Sequence, residues 1–468
     1  MKPMMNMRSL ALVVGVGLAA AACKDSTSVT DLNNVSAEAL AGGLTKASTG
    51  LLVTGMLNST RGDDDSRYLV FSETMARDFY RLDNAENRYV TETIGGPADY
   101  SGFLGGGAFT QFYVTVRAGN TILNALPSAQ GLTAAEVSAT RGFVRTFNAL
   151  ALYRALELRD SLGIAIDVNH AIDDPPAGFV CKPSAMASIT ASLDSAATDL
   201  AAGGSAFPFD LPPGFSSNGK YNTPATFLLF NRGLKGKVEL YRALDHQKPN
   251  AGSLATALTA LNTAIGTSAA PAAATLSNGV YNTYSTAAGE TRYPIADANI
   301  YLNPAVGDSV QAGDLRSSKI TTLATAKSLF NLTSKYQSPL TVSSNLTRPL
   351  AILRVAELTL LRAQVKIEQG DLVGATADIN AVRAGEGGLA PIAVPASKDA
   401  AISALLYEKR YSLLAESAQR LVDLRAYKRL NGTYLKKELP GDIFQSTLPI
   451  PKREFDTRGV TTLTIACS

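Results

Sequence analysis

The sequence predicts a mainly helical protein overlaid by long irregular loops and a few short strands. Three observations carry this reading. Alanine- and leucine-rich runs with a helical period recur over 36–267 and again over 350–430. Two stretches, roughly 61–109 and 268–349, are rich in Gly, Pro, Ser, Thr and Tyr and lose that period. Hydrophobic residues make up 46% of the 468-residue chain, enough for the core of one large globular unit over 36–468.

Taken in order, the chain opens on a signal peptide, residues 1–22. Lys2 and Arg8 supply a positive start, and Leu10 to Ala22 form an uncharged apolar run. A membrane-spanning helix needs about 20 apolar residues, so this run is too short to remain as a span. Ala20, Ala21 and Ala22 lead directly into Cys23, the pattern of a lipobox, in which the thiol is diacylated and becomes the mature N-terminus. Cys23 is therefore expected to be the lipid anchor, and the polar residues 23–35 a flexible tether. No later run is apolar enough to cross a bilayer.

Helices are expected at Ser36 to Leu57, Phe112 to Leu126, Ala134 to Arg159, Ser184 to Ala202, Pro224 to Leu244 and Leu254 to Ile265. Asn222 and Thr223 before Pro224 give a capping residue and a first-turn proline in the favoured order. Gly95-Gly96-Pro97 and Gly105-Gly106-Gly107 are expected to interrupt the first irregular stretch. From Leu350, the residues Leu353, Ala356, Leu360, Ala363 and Ile367 recur at steps of three and four. Gln369-Gly370-Asp371 breaks the run, and Leu372, Ala375, Ile379 and Val382 begin a second helix. Two such helices joined by a tight turn form a hairpin of the tetratricopeptide kind. No strict 34-residue repeat is visible elsewhere, so the hairpins are degenerate. One further helix is expected over Asp399 to Leu430, and 431–468 closes as an extended segment.

Composition excludes several classes. The net charge of +3 is spread along the chain, without the basic stripe of a nucleic-acid binder. Only two histidines are present, His170 and His246, with no Cys/His spacing, so neither a metal centre nor a catalytic triad is supported and no cofactor is expected. With Cys23 lipidated, Cys181 and Cys467 remain as either a disulfide or two separate buried thiols. The acidic run Asp63-Asp64-Asp65 could supply oxygen ligands to calcium, although a solvated loop is the simpler reading. Glu416, Arg420 and Asp423 fall at helical spacing and are expected to form a structural ion network on one face. Tryptophan is absent, so flat contact with a ligand would fall to Tyr or Phe. Arg77, Tyr80 and Arg81 in the first irregular stretch and Tyr293 and Tyr301 in the second are the expected ligand contacts, provided the fold joins the two stretches.

The C-terminal third resembles the SusD/RagB family of nutrient-binding outer-membrane lipoproteins. The resemblance rests on Arg354-x-Ala356-Glu357-x-x-Leu360-x-x-Ala363 with Gly370-Asp371 and Ile379-Asn380-x-x-Arg383. It continues through Tyr407-Glu408-Lys409-Arg410-Tyr411, Glu416-x-x-x-Arg420-x-x-Asp423-Leu424-Arg425 and Pro449-Ile450-Pro451. Gln419 and Leu421 depart from the family, which commonly has histidine and tryptophan there. The resemblance implies a non-enzymatic, surface-exposed lipoprotein. Such a protein captures an oligosaccharide or peptide and passes it to a TonB-dependent barrel of the outer membrane, the SusC-like partner. The alternatives are a tetratricopeptide-type scaffold at the membrane and a surface glycan hydrolase using paired carboxylates.

Overall fold

A ladder of helices, each packed on the next, forms the frame of the protein. The computed structural model describes residues 43–465 apart from 172, 247, 343 and 464. The signal peptide, Cys23, the tether and Cys467 lie outside the described residues. The helices are α1 (Lys46–Ser59), α2 (Asp63–Met75), α3 (Arg88–Thr91), α4 (Phe103–Ala125), α5 (Ala134–Arg159), α6 (Lys182–Ala201) and α7 (Pro224–Ala243). They continue with α8 (Ser253–Ile265), α9 (Pro304–Asp308), α10 (Val355–Glu368), α11 (Leu372–Gly385), α12 (Lys398–Ser412), α13 (Gln419–Ala426) and α14 (Lys452–Arg458). Contacts run α4 to α5, α5 to α6, α6 to α7, α7 to α8, α8 to α10, and α10 to α11 and α12. This is the degenerate tetratricopeptide-like arrangement, with each hairpin burying its neighbour's apolar face.

Local chemistry sets the ends of these helices. Thr133 and Glu136 form a reciprocal capping box at the start of α5. Thr223 caps α7 and Pro224 occupies its first turn, as the sequence predicts. Gly370 adopts φ +83° and Asp371 then caps α11, so the tight turn of the 355–385 hairpin follows directly from these two residues.

Small residues set how closely the helices approach. A Cβ on Gly142 would lie 2.7 Å from Leu200 and 2.8 Å from the Ala196 carbonyl, so α5 and α6 meet where a side chain is missing. Beside this contact Phe143 gathers Phe147, Phe207, Phe209, Phe215 and Phe227, with Phe227 at 4.7 Å between ring centroids.

Short antiparallel strands form the layer over this frame. Strands β1 (Phe79–Arg81), β5 (Ile300–Leu302), β7 (Leu332–Gln337) and β6 (Thr321–Leu329) make one sheet in that order. Strand β4 (Gly279–Asn282) pairs with β8 (Leu350–Arg354), and β2 (Ile164–Ala165) with β3 (Phe179–Val180). Among the described residues, no helix is long and apolar enough to cross a membrane.

Beyond the start of α1 at Lys46, with 43–45 not helical, and the helix α14 inside the segment 431–468 read as extended, three further expectations about elements need correction. The stretch 61–109 contains α2, and Gly105-Gly106-Gly107 lies inside α4, which starts at Phe103 rather than Phe112. The bare Gly107 backbone accepts a hydrogen bond from Arg67 Nη1 at 3.0 Å, and a Cβ there would meet that nitrogen at 2.7 Å. The glycine therefore makes room for α2 instead of breaking α4. Second, residues 350–354 form a fully buried strand, not the first turn of α10. A short run that is apolar on both faces carries no period with which to tell strand from helix. Third, the helix expected over Asp399 to Leu430 is interrupted between Ser412 and Gln419, where Ala415 takes φ +62°.

The α5–α6 contact gives a direct test. Gly142→Ala should lower stability by about 1–3 kcal/mol, the range for overpacking a well-filled interface. Gly55→Ala, where nothing lies within 4 Å of the added carbon, should leave stability unchanged or raise it by up to about 1 kcal/mol. Chemical denaturation of the two variants measures both.

Candidate ligand-binding site

The two irregular stretches do come together. Strand β1 pairs with β5, and Tyr80 faces Tyr301 across the ladder. The contact consumes most of the side chains expected to meet ligand. Tyr80 is 1% exposed, and it packs with Leu82, Val90, Ile94 and Leu332, with half-buried Tyr301 against them. Arg77 is 2% exposed and forms an ion pair with Asp442. Arg81 spans Asp297 at 2.8 Å and Asp83 at 3.3 Å, with its guanidinium 3.9 Å from the centroid of Tyr89. Tyr80 is thus withdrawn from solvent by the layer that joins the stretches, and Arg77 by Asp442 and Phe444 of the C-terminal segment.

A cavity of 380 Å³ lies beside this sheet, between β4, β8, the 315–319 segment and the break after α12. Tyr281 and Tyr293 stand in its wall. Tyr293, almost fully buried, packs edge-on against Tyr284 at 5.6 Å. Tyr281 is half-buried and donates its hydroxyl to the Ser277 carbonyl at 2.6 Å, and burial pushes the phenol up to about 12.

Charge at the floor is organised by Arg354, the last residue of β8 and the cap position of α10. Its Nε and Nη2 donate to the two oxygens of Glu416 at 2.7 and 3.0 Å, and its Nη1 pairs with Glu386. Burial opposes the charge on Glu386, but the Arg354 guanidinium outweighs it and holds the carboxyl below its ordinary range. Burial likewise disfavours the Arg354 charge, and the two glutamates more than reverse this.

Lys319 and Arg348 complete the cationic side. Lys319 Nζ donates to the Tyr411 and Ser412 carbonyls at 2.9 and 2.6 Å, at the C-terminal end of α12. Burial pushes its pKa down to about 8. Arg348 is exposed and has no hydrogen-bond or ion-pair partner among the described residues.

A second cavity of 370 Å³ lies among α4, α5 and α6, lined by Asn120, Asn148, Asn169, Arg145, Asp167, serines and aliphatic side chains. No ring lines it. The first cavity, with aromatic faces and graded charge, is the better candidate for recognition.

The charged residues near α13 are placed differently from expectation. Glu416, Arg420 and Asp423 do not form one i,i+4 set, because Glu416 lies in the break before α13. Glu416 goes to Arg354. Arg420 approaches Asp78 at 3.7 Å, and Asp423 receives Lys409 at 3.1 Å and the Tyr241 hydroxyl at 2.6 Å. Each takes part in a network, with partners from other elements. Cys181 is disulfide-bonded, while Cys467, the other cysteine of the possible pair, lies outside the described residues. The side chains of Asp63, Asp64 and Asp65 also lie outside them.

Sequence reasoning missed Lys319, Arg348 and Glu386. Tyr281 is one of the tyrosines of the 268–349 stretch that nothing in the sequence singles out, and Arg354 enters only as part of a family motif.

No protein-family model matches the sequence, and no curated protein does. Solved structures do match. A SusD superfamily protein from Bacteroides thetaiotaomicron VPI-5482 aligns at a TM-score of 0.69 and 14% identity, over 90% of this chain and 100% of that one. Surface glycan-binding protein A from Bacteroides uniformis aligns at 0.67 and 13%, over 89% and 99%. B. fragilis NanU aligns at 0.67 and 14%, over 91% and 97%. The chain has the SusD fold. The SusD resemblance read from residues 350–454 therefore extends to the architecture of nearly the whole described chain, in a divergent sequence.

Within this SusD-like fold, Arg354 joins two distant carboxylates. Arg354→Met leaves Glu386 and Glu416 without their cation, and breaking such a buried pair typically costs about 3–5 kcal/mol. The lowered Glu386 pKa contributes stability above the ordinary glutamate value of roughly 4.3, and this is lost as pH falls through the lower folded value. In the variant Glu386 lacks the cation that holds it ionised against burial, so acid relieves its share of the penalty. The stability gap between wild type and variant should narrow between pH 7 and 4, as followed by denaturant titration.

Proposed function

We propose that the protein is a non-enzymatic surface lipoprotein that captures an oligosaccharide and passes it to a TonB-dependent transporter of the outer membrane. The observation that carries this reading is the 380 Å³ cavity, with Tyr281 and Tyr293 in its wall beside a fixed ion network, set in a SusD-like fold. Sugar rings offer an apolar face to an aromatic side chain and hydroxyls to charged groups, and Tyr281, Lys319 and Arg348 provide both kinds of contact. A solved structure of the same fold is described as a surface glycan-binding protein, which supports a glycan over a peptide.

The carboxylates argue for binding rather than hydrolysis. A glycosidase acid must hold its proton near neutral pH, which requires a raised pKa. Glu386 is shifted the other way, and both Glu386 and Glu416 are turned onto Arg354.

Attachment through Cys23 follows from the lipobox. A lipid-anchored protein without a span of its own needs a separate barrel to move its cargo. Cys23→Ala should release the protein from membranes or leave it unprocessed, as read by fractionation and mass spectrometry of the N-terminus. Purification from native membranes in mild detergent should recover a barrel partner. Persistent recovery of an isolated chain would favour a scaffold role instead.

Tyr281→Ala should weaken glycan binding several-fold, since one ring contact is worth about 1 kcal/mol. Calorimetry with an oligosaccharide panel measures this, and unchanged affinity would move the site elsewhere.

A further inference from the structure

We infer that the cavity selects a saccharide bearing a carboxylate, held between Lys319 and Arg348. This rests on the capture reading above and names the class of ligand. Both oxygens of Glu416 lie within 3.0 Å of Arg354 nitrogens, and both oxygens of Glu386 are also bonded to Arg354. Every oxygen of the two glutamates is therefore bonded to one guanidinium, and the single negative charge left over on the pair faces Lys319. Arg316, also in the wall, is saturated from its own side by Asp314 at 2.8 Å and Glu408 at 2.6 Å.

Two cations remain. Lys319 has no carboxylate within ion-pair distance among the described residues and bonds only main-chain carbonyls, which leaves one ammonium N–H unassigned. Arg348 has all its donors free at the solvent side. A neutral sugar would leave the Arg348 charge and the spare Lys319 N–H unanswered in a partly enclosed site. A carboxylate would accept a charge-assisted hydrogen bond from either. Tyr281 would support the ring that carries the acid.

Proton linkage supplies a second signature. Burial pushes the Lys319 pKa down to about 8, with Glu416 and Glu386 favouring its charge and Arg354 and Arg348 opposing it. A ligand carboxylate raises that pKa, so binding above pH 8 takes up a proton. Affinity should then be flat from pH 6 to 7.5 and fall as pH rises beyond about 8.

The test is calorimetry with two matched pairs, trigalacturonate against its methyl ester and sialyllactose against its methyl ester. The first pair places the acid on a uronic sugar, the second on an anomeric carbon. We expect the acid member of at least one pair to bind at least about tenfold tighter, and Arg348→Gln to remove most of that preference. Arg348 is exposed and unpaired, so this variant should fold. Lys319→Gln should abolish the fall above pH 8, provided circular dichroism shows α12 intact. If it does not, the wild-type pH profile stands in its place. Equal binding within both pairs, or an acid preference untouched by Arg348→Gln, overturns the inference while leaving glycan capture standing. Failure of every saccharide, acidic or neutral, overturns both.

Discussion

Buried ion pairs between the helical ladder and the loop layer fix where every other part of the site can sit. Arg410 reaches from α12 to Asp78 at 2.7 Å, beside β1. Glu408 accepts Arg316 at 2.6 Å and Arg383 at 2.8 Å, so one carboxylate ties α12 to both the loop layer and α11. Lys237 of α7 lies between Glu157 and Glu357 at 3.3 and 3.1 Å, within the ladder itself. Burial raises the Glu357 pKa, which eases two acids sharing one cation. Such pairs add little net stability compared with apolar packing, because desolvation offsets most of the attraction. Removing one partner is a different matter, since it strands a charge in the interior. The network therefore acts chiefly against misplacement: a sliding of the loop layer over the ladder would break several pairs at once.

This explains which parts of the chain were legible. Arg354, Glu357, Arg383, Glu408, Lys409, Arg410, Glu416 and Asp423 all belong to the motifs that suggested the family, and all carry ion pairs of the network. Their importance could be read from the resemblance; their partners could not. Arg410 meets a residue 332 positions away, and Glu416 one 62 positions away. Helical spacing offered Arg420 as a nearer partner for Glu416. That inference assumed a continuous helix, and the break after Ser412 removes the assumption.

Most helices were legible because periodic burial and alanine content act locally. The bounds of α5 were read from the sequence as observed, and those of α7 to within one residue. The failures share one cause. Gly107 and the 350–354 strand take their conformations from distant neighbours, Arg67 and β4. The candidate site fails to show for the same reason. Its wall is assembled from two paired strands, a short 3-10 turn and a helix break, and none of these imposes a period. The aromatic content of the loops pointed to the right layer. It could not separate Tyr80, spent on a small core, from Tyr281, left at a cavity wall.

The break between α12 and α13 brings these threads together. An uninterrupted helix would satisfy the Tyr411 and Ser412 carbonyls internally and would carry Glu416 away from Arg354. Ending α12 at Ser412 frees those carbonyls for Lys319 and turns Glu416 toward β8. The turn places Ala415 at φ +62°, a conformation costing a residue with a Cβ roughly 1 kcal/mol or more. The strain is held in place from the far side of the fold, where Glu73 of α2 accepts the Ala415 N–H at 3.2 Å. A local irregularity in the scaffold thus supplies both the anionic floor and the cationic wall of the cavity. The same ion network that resists sliding also keeps this irregularity from relaxing into a longer helix.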